Sequence, residues 1–201
     1  MSTGEAVAKA PKRARGVRRV TELLDAGAAL FAENGYEATT MTQIAQRAGA
    51  SIGSLYQFFP TKEVLAEVLF GRYVERLASL LQDLERRAPG LSPARLADKL
   101  VDVMLDVRSE LHAAAALSSS VSGIVERRKP LRGATRRQIA AILRAANPRL
   151  REKTAAEAGA LIAHVLKFVP TLAKEEEDSG QALVAQARKM LAAYIERVVK
   201  P

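Results

Sequence analysis

The chain has no cysteine and no tryptophan. Without cysteine there is no disulfide framework, no thiolate zinc site and no cysteine nucleophile. Aromatics make up only 4% of the 201 residues, although 48% are hydrophobic. Ala and Leu carry much of that apolar content, which favours helices over a β-sandwich. Only two histidines occur, His112 and His164. They fall on different predicted helices, without H-x-x-x-H or E-x-x-H spacing, so no metal site is expected. No G-x-S-x-G, P-loop or paired-glycine nucleotide motif is present. The segment SSSVSG at 118–123 reads as a loosened helix, not a phosphate cradle. Neither an enzyme nor a cofactor is expected. No run of about 18 or more apolar residues appears, which predicts no membrane span. The N-terminus shows no apolar signal segment. A cytoplasmic protein is the simplest reading.

Charge is what the chain has in excess. Thirty-one Lys and Arg face 22 Asp and Glu, giving +9 and a pI near 10.1, which suggests a polyanionic partner. Lys9, Lys12, Arg13, Arg15, Arg18 and Arg19 follow one another with no acid between them. Residues 1–16 have no hydrophobic period and read as a disordered basic arm. Such an arm is either a solubilising tail or a tracker of phosphates and minor grooves. Residues 1–60 hold seven basic and five acidic residues. Most of the excess therefore lies elsewhere, including Arg127, Arg128, Lys129, Arg132, Arg136 and Arg137, a cluster that reads as a solvated surface.

Helical spacing of Val20, Leu23, Leu24, Ala28 and Phe31 predicts a first helix from about Val17 to Asn34. Gly35 fits a left-handed stop. Thr40 with Gln43 three residues on is a capping box, so a helix starts at Met41. It is interrupted at Gly49. Ser51 is an N-cap for a third helix, which Pro60 ends. Thr61 caps a fourth that runs to about Arg87. Ile44, Ala45 and Ala48 face inward on the second helix, and Leu55 and Phe59 on the third. Two short helices around a glycine turn make the helix-turn-helix pattern. Further helices are predicted at about 93–110, 111–127, 130–146, 149–173 and 181–199, with no strand. The last two have long apolar faces that close an intrachain core or form a four-helix seam with a second copy.

The stretch LLDAGAALFAENGYEATTMTQIAQRAGASIGSLYQFFPTKEVLAEVL, residues 23–69, resembles the DNA-binding domain of TetR-family transcriptional regulators. The matching elements are Leu30-Phe31, Gly35-Tyr36, Thr39-Thr40, Ile44-Ala45, Ala48-Gly49, Gly53-x-Leu55-Tyr56, Phe59 and Lys62-Glu63. Their order and spacing together are specific. Beyond residue 90 only the helical layout is shared. The resemblance implies an all-α fold. After the arm it places a three-helix helix-turn-helix DNA-binding domain at 17–62 and a helical ligand-binding and dimerisation domain at 63–201.

The resemblance also implies roles. The helix beginning near Ser51 would enter the major groove of double-stranded DNA. Ser51 would meet a phosphate or cap its own helix. Gly53 would let the backbone approach closely. Ile52 and Ser54 would point at base edges or a thymine methyl, and Gln57 would read adenine. Tyr56 would bind phosphate, and Phe58 would touch sugars or sit exposed. Thr40 and Lys62 would meet phosphates at helix N-termini. The recognition helix has no Arg or Lys, so phosphates and the arm would supply much of the affinity. Met104, Arg108, His112, His164 and Phe168 are candidates for an effector pocket, with Val103, Val107 and Leu117 as walls. The expected protein is a homodimeric repressor, released from a palindromic operator by a small molecule and without a membrane partner. The alternative is a regulator of the same fold controlled by a partner protein or by no ligand. For the dimer, Ala155, Ala158, Gly159, Ile162, Ala163, Val165 and Val169 are the expected seam, completed by Leu191 and Tyr194.

Overall fold

The computed structural model describes residues 14–107, 110, 112–113, 117, 121–175 and 177–200; for Arg128, Glu177 and Asp178 it describes the backbone alone. The fold is all-α, and no strand occurs among the described residues. Eight helices are delimited there: α1 (Ala14–Ala38), α2 (Met41–Arg47), α3 (Ile52–Phe58), α4 (Lys62–Arg87), α5 (Pro93–Asp106), α6 (Ser122–Ala146), α7 (Glu152–Leu172) and α8 (Glu177–Val199).

The chain forms two compact units. One takes the residues up to Val74 together with 109–128, and the other takes 75–108 with 129–201. The boundary thus differs from the 62/63 division expected from sequence. The first half of α4 joins the first unit because it is part of that unit's core. Leu65, Ala66, Leu69 and Phe70 are buried. A Cβ on Gly27 of α1 would lie 2.8 Å from Leu65 Cδ2, so a larger residue there would make the Leu65 side chain shift.

The first unit is built on Leu23, Phe31, Ile44, Leu55, Phe59 and Leu65, none more than 2% exposed. In the second, α5 packs along α8 and less extensively on α7, and α7 also packs on α8. Leu96, Leu100, Ile142, Leu143, Ile162, Val169, Leu191 and Ile195 fill that core. Local chemistry starts α5: Ser92 Oγ accepts from the Arg95 amide at 3.3 Å, and Pro93 takes the first helical position, where its missing N–H costs nothing. Arg188 of α8 then donates to the Asp98 carbonyl at 2.9 Å and to Asp102 Oδ1 at 2.7 Å on α5.

Several boundaries differ from expectation. Helix α1 starts at Ala14, so only 1–13 of the expected arm lie outside the described residues. Gly35 has φ 80° and ψ 169°. This is a glycine-only extended conformation and not the left-handed stop expected; it kinks the chain, and helical turns resume to Ala38. Pro130 does not separate two helices. Helix α6 runs through it, losing one backbone hydrogen bond. Helix α7 is long and apolar enough to cross a membrane by length and composition, a candidate the sequence pattern did not predict. It also packs a full face of buried side chains inside its own unit.

Candidate nucleic-acid interface

The α2–turn–α3 segment is held by short-range bonds that the sequence dictates. Thr40 Oγ1 accepts from the Gln43 amide at 3.2 Å, and Gln43 Oε1 accepts from the Thr40 amide at 2.8 Å. Gly49 takes φ 58° in the turn, a conformation that strains any side-chain-bearing residue. Ser51 Oγ then accepts from the Ser54 amide at 3.2 Å and starts α3. Leu55 and Phe59 fix α3 to the core.

What remains outward is a continuous edge. Ser51, Ile52, Gly53, Tyr56 and Gln57 are exposed, with Ile52 at 41% and Tyr56 at 49%; Ser54 and Phe58 are half-buried. Positions 52, 53, 56 and 57 share one side of a helix by their spacing. Phe58 is therefore neither free nor core.

Sequence reasoning missed a set of supporting residues. Thr39 is fully buried and donates to the Gly35 carbonyl at 2.8 Å and the Leu30 carbonyl at 3.2 Å. Arg19, read as the end of the basic run from Lys9, donates from Nη1 to the carbonyls of Ala48 and Gly49 at 3.3 and 3.4 Å and pairs with Glu22 at 2.9 Å. It ties α1 to the turn. Lys62, read as a phosphate contact, is differently occupied. Its Nζ donates to the carbonyls of Tyr36 at 2.9 Å, Thr39 at 3.0 Å and Glu37 at 3.4 Å, and sits 4.2 Å from the Tyr36 ring centre. Beside it the Tyr36 hydroxyl donates to Glu63 Oε1 at 2.9 Å. Burial, and then that carboxylate, push the Tyr36 hydroxyl well above its usual range. The Glu63 carboxyl is held below the usual carboxylate range by its own backbone amide and by Tyr36.

Two further cations of the unit are also engaged. Arg47 forms a two-pronged pair with Glu33 at 2.5 and 2.7 Å, and Arg72 reaches Asp25 at 3.5 Å. Residues 14–74 contain six Lys and Arg and six Asp and Glu. The segment that carries α3 is electroneutral.

Of the five candidate effector residues, the second unit holds one in its core and two on its surface. Met104 is a 7%-exposed core residue of α5. His164 lies on the surface of α7, where Nδ1 bonds the Ala160 carbonyl at 2.7 Å and Nε2 bonds Arg136 at 3.1 Å. Phe168 is 59% exposed. His112 is half-buried and belongs to the other unit. Arg108 lies outside the described residues. A spacing near apolar stretches did not reveal which face each residue takes.

The expected dimer seam is corrected in part, since Ala163, Val165 and Tyr194 are only half-buried. Ala155, Ala158, Gly159, Ile162, Val169 and Leu191 are buried within the chain. A Cβ on Gly159 would lie 2.8 Å from the Arg136 carbonyl oxygen and 2.9 Å from the Ala140 nitrogen. Gly159 thus admits α6, not a second copy. The large apolar side chains left outside on the last two helices are Leu161, Phe168 and Met190.

A capped helix, a glycine turn and an outward helix edge on a helical scaffold make a helix-turn-helix. Residues 23–69 match the family described as bacterial regulatory proteins, tetR family. The repressor KstR2 of Rhodococcus jostii (strain RHA1) is 35% identical over 99 residues, 49% of this chain and 48% of that protein. The chain spans about half the length of that relative. A transcriptional regulator from Aquifex aeolicus VF5 shares the fold at TM-score 0.70 and 20% identity, over 88% of this chain and 99% of that one. The SmeT–triclosan complex does so at 0.66 and 21%, over 88% and 91%.

Proposed function

We propose that the chain is a transcription repressor that reads a palindromic operator as a homodimer, one α3 in each of two major grooves, and that a small molecule releases it. The observation that carries DNA reading is Gly53. Its φ is not positive and a Cβ there would meet nothing within 4 Å. Neither backbone strain nor packing asks for glycine, which costs about 1 kcal/mol in a helix interior. A bare backbone at this outward position leaves room for a body outside the chain to approach it. Ile52, Tyr56 and Gln57 flank that position: the amide of Gln57 suits adenine and Ile52 a thymine methyl. Tyr56, Ser51 and Thr40 are assigned to phosphates.

A repressor is what the KstR2 relative is named, and the SmeT complex carries a small molecule on the same fold. Both support the reading. Two-fold pairing would space half-sites about one helical turn, or a multiple, apart. The dimer face is reassigned to Leu161, Phe168 and Met190.

The test is selection from random duplex, followed by Gly53→Ala and Gln57→Ala. Gly53→Ala should raise stability by up to about 1 kcal/mol while weakening binding. Gln57→Ala should relax one base position, by about 1–3 kcal/mol. Selection that yields no preferred sequence, or Gly53→Ala with undiminished affinity, would reject the reading.

A further inference from the structure

Residues 127–151 contain nine Lys and Arg and no Asp or Glu. The remaining 22 Lys and Arg in the chain are matched by 22 Asp and Glu. The whole net charge of +9 therefore resides in this one segment, the C-terminal part of α6 and the turn that follows it. The sequence pattern reads part of it as a solvated face. Its pairing says more. These ion pairs all lie outside it: Arg18 and Arg19 with Glu22, Arg47 with Glu33, Arg72 with Asp25, Arg86 with Asp83, Lys99 and Arg188 with Asp102, Arg188 also with Asp98, and Lys200 with Glu196. Lys129, Arg132, Arg137, Arg144, Arg149 and Arg151 are exposed, with no ion-pair partner among the described residues. Glu85, the carboxylate bonded to this helix, accepts from Gln138 at 2.5 Å.

We infer that this segment is a second, sequence-independent DNA-binding surface, separate from α3. Like charges gathered without counter-charges oppose the compact state, so a polyanion that covers them is favoured. From Lys129 to Arg144 the helix rises about 22 Å, a spread that suits a polymer and not a single small anion. Eight of the nine cations are Arg, whose planar fork matches phosphate oxygens. A membrane surface would need apolar anchors beside the charges. The exposed large hydrophobics of the described chain are Val17, Ile52, Tyr56, Val125, Leu161, Phe168 and Met190, none of them in 127–151. The surface supplies what the α3 edge lacks, since 14–74 carries no net charge. The inference rests on the reading that this protein works on DNA.

The experiment compares the full chain with an Arg132→Gln, Arg137→Gln, Arg144→Gln triple variant. The probes are the selected operator duplex, a scrambled duplex of the same length, and phosphatidylglycerol vesicles. All three positions are exposed, and the melting temperature checks folding; an Arg→Lys triple variant keeps the charge and should behave as the parent. The slope of log affinity against log salt should flatten on both duplexes by about 0.9 for each phosphate no longer neutralised. The preference for operator over scrambled duplex should stay unchanged. Unaltered slopes on both duplexes would overturn the inference, as would a charge-dependent loss of vesicle binding with duplex binding intact. If the parent shows no operator preference, the α3 reading fails, and the scrambled-duplex slope still decides this one.

Discussion

Lys62 has three ammonium protons and three carbonyls within reach, those of Tyr36, Thr39 and Glu37. The end of α1 leaves carbonyls without helical partners, and a cation placed on them is favourable. The neighbouring Tyr36–Glu63 bond closes the same junction. This position is a clamp that sets where α4 begins relative to α1. Lys62→Met should therefore cost about 1.5–3 kcal/mol of unfolding free energy, read by urea titration, and leave the salt slope of operator binding unchanged. A phosphate contact would do the reverse: unchanged stability and a slope shallower by about 0.9. That second pattern would return Lys62 to the DNA contacts. Much at this scale was legible. Thr40, Gln43, Gly49 and Ser51 act through neighbours one to five residues away, so their types announce their bonds. Arg19, Thr39 and Lys62 act through carbonyls brought near by folding, and a carbonyl leaves no mark in the sequence.

Helix α7 shows where elements stop being legible. Its period is plain, but the period does not say whether a face meets its own chain or another. The small residues Ala155, Ala158 and Gly159 suggest room for a second copy. Gly159 is room for α6, whose backbone lies where its Cβ would go, and Ala155 and Ala158 are buried within the chain. Pro130 misleads in a similar way: the turn it suggests is absent, and α6 continues through it. Two substitutions on α7 should part company. Ile162 is 0% exposed, so Ile162→Glu buries an unpaired charge and should abolish cooperative folding. Phe168 is 59% exposed. Phe168→Glu should keep its helical circular dichroism and melting transition, become monomeric in light scattering, and lose operator affinity. A Phe168→Glu protein still dimeric and fully DNA-competent would remove α7's outer face from the proposed interface.

Stability of the whole molecule should depend on pH at the alkaline end, and the cause is buried phenol. Tyr36 and Tyr73 are 5% and 6% exposed. Burial, with Glu110 adding to it, pushes the Tyr73 hydroxyl up to about 12 from an ordinary value of 10.0. Tyr36 is raised in the same direction, by burial and then Glu63. Both groups are neutral when protonated, and the folded state holds the proton more tightly than the unfolded chain. Their contribution is complete below about pH 10. Above that the unfolded chain releases protons first, so stability falls as pH rises towards the folded values. For Tyr73 the fall is on the order of 2 kcal/mol by about pH 12. Lysines titrate nearby and would blur a single curve. The measurement is therefore the difference between parent and Tyr73→Phe in urea midpoint, from neutral pH upward, alongside tyrosinate absorbance of the folded protein. The parent should lose stability more steeply than Tyr73→Phe across this window. Parallel curves, or tyrosinate absorbance appearing in the folded protein near pH 10 for every tyrosine, would mean that the phenols are not protected. The packing of Phe70 and Tyr73 in the first unit, with ring centres 6.2 Å apart, would then be looser than described.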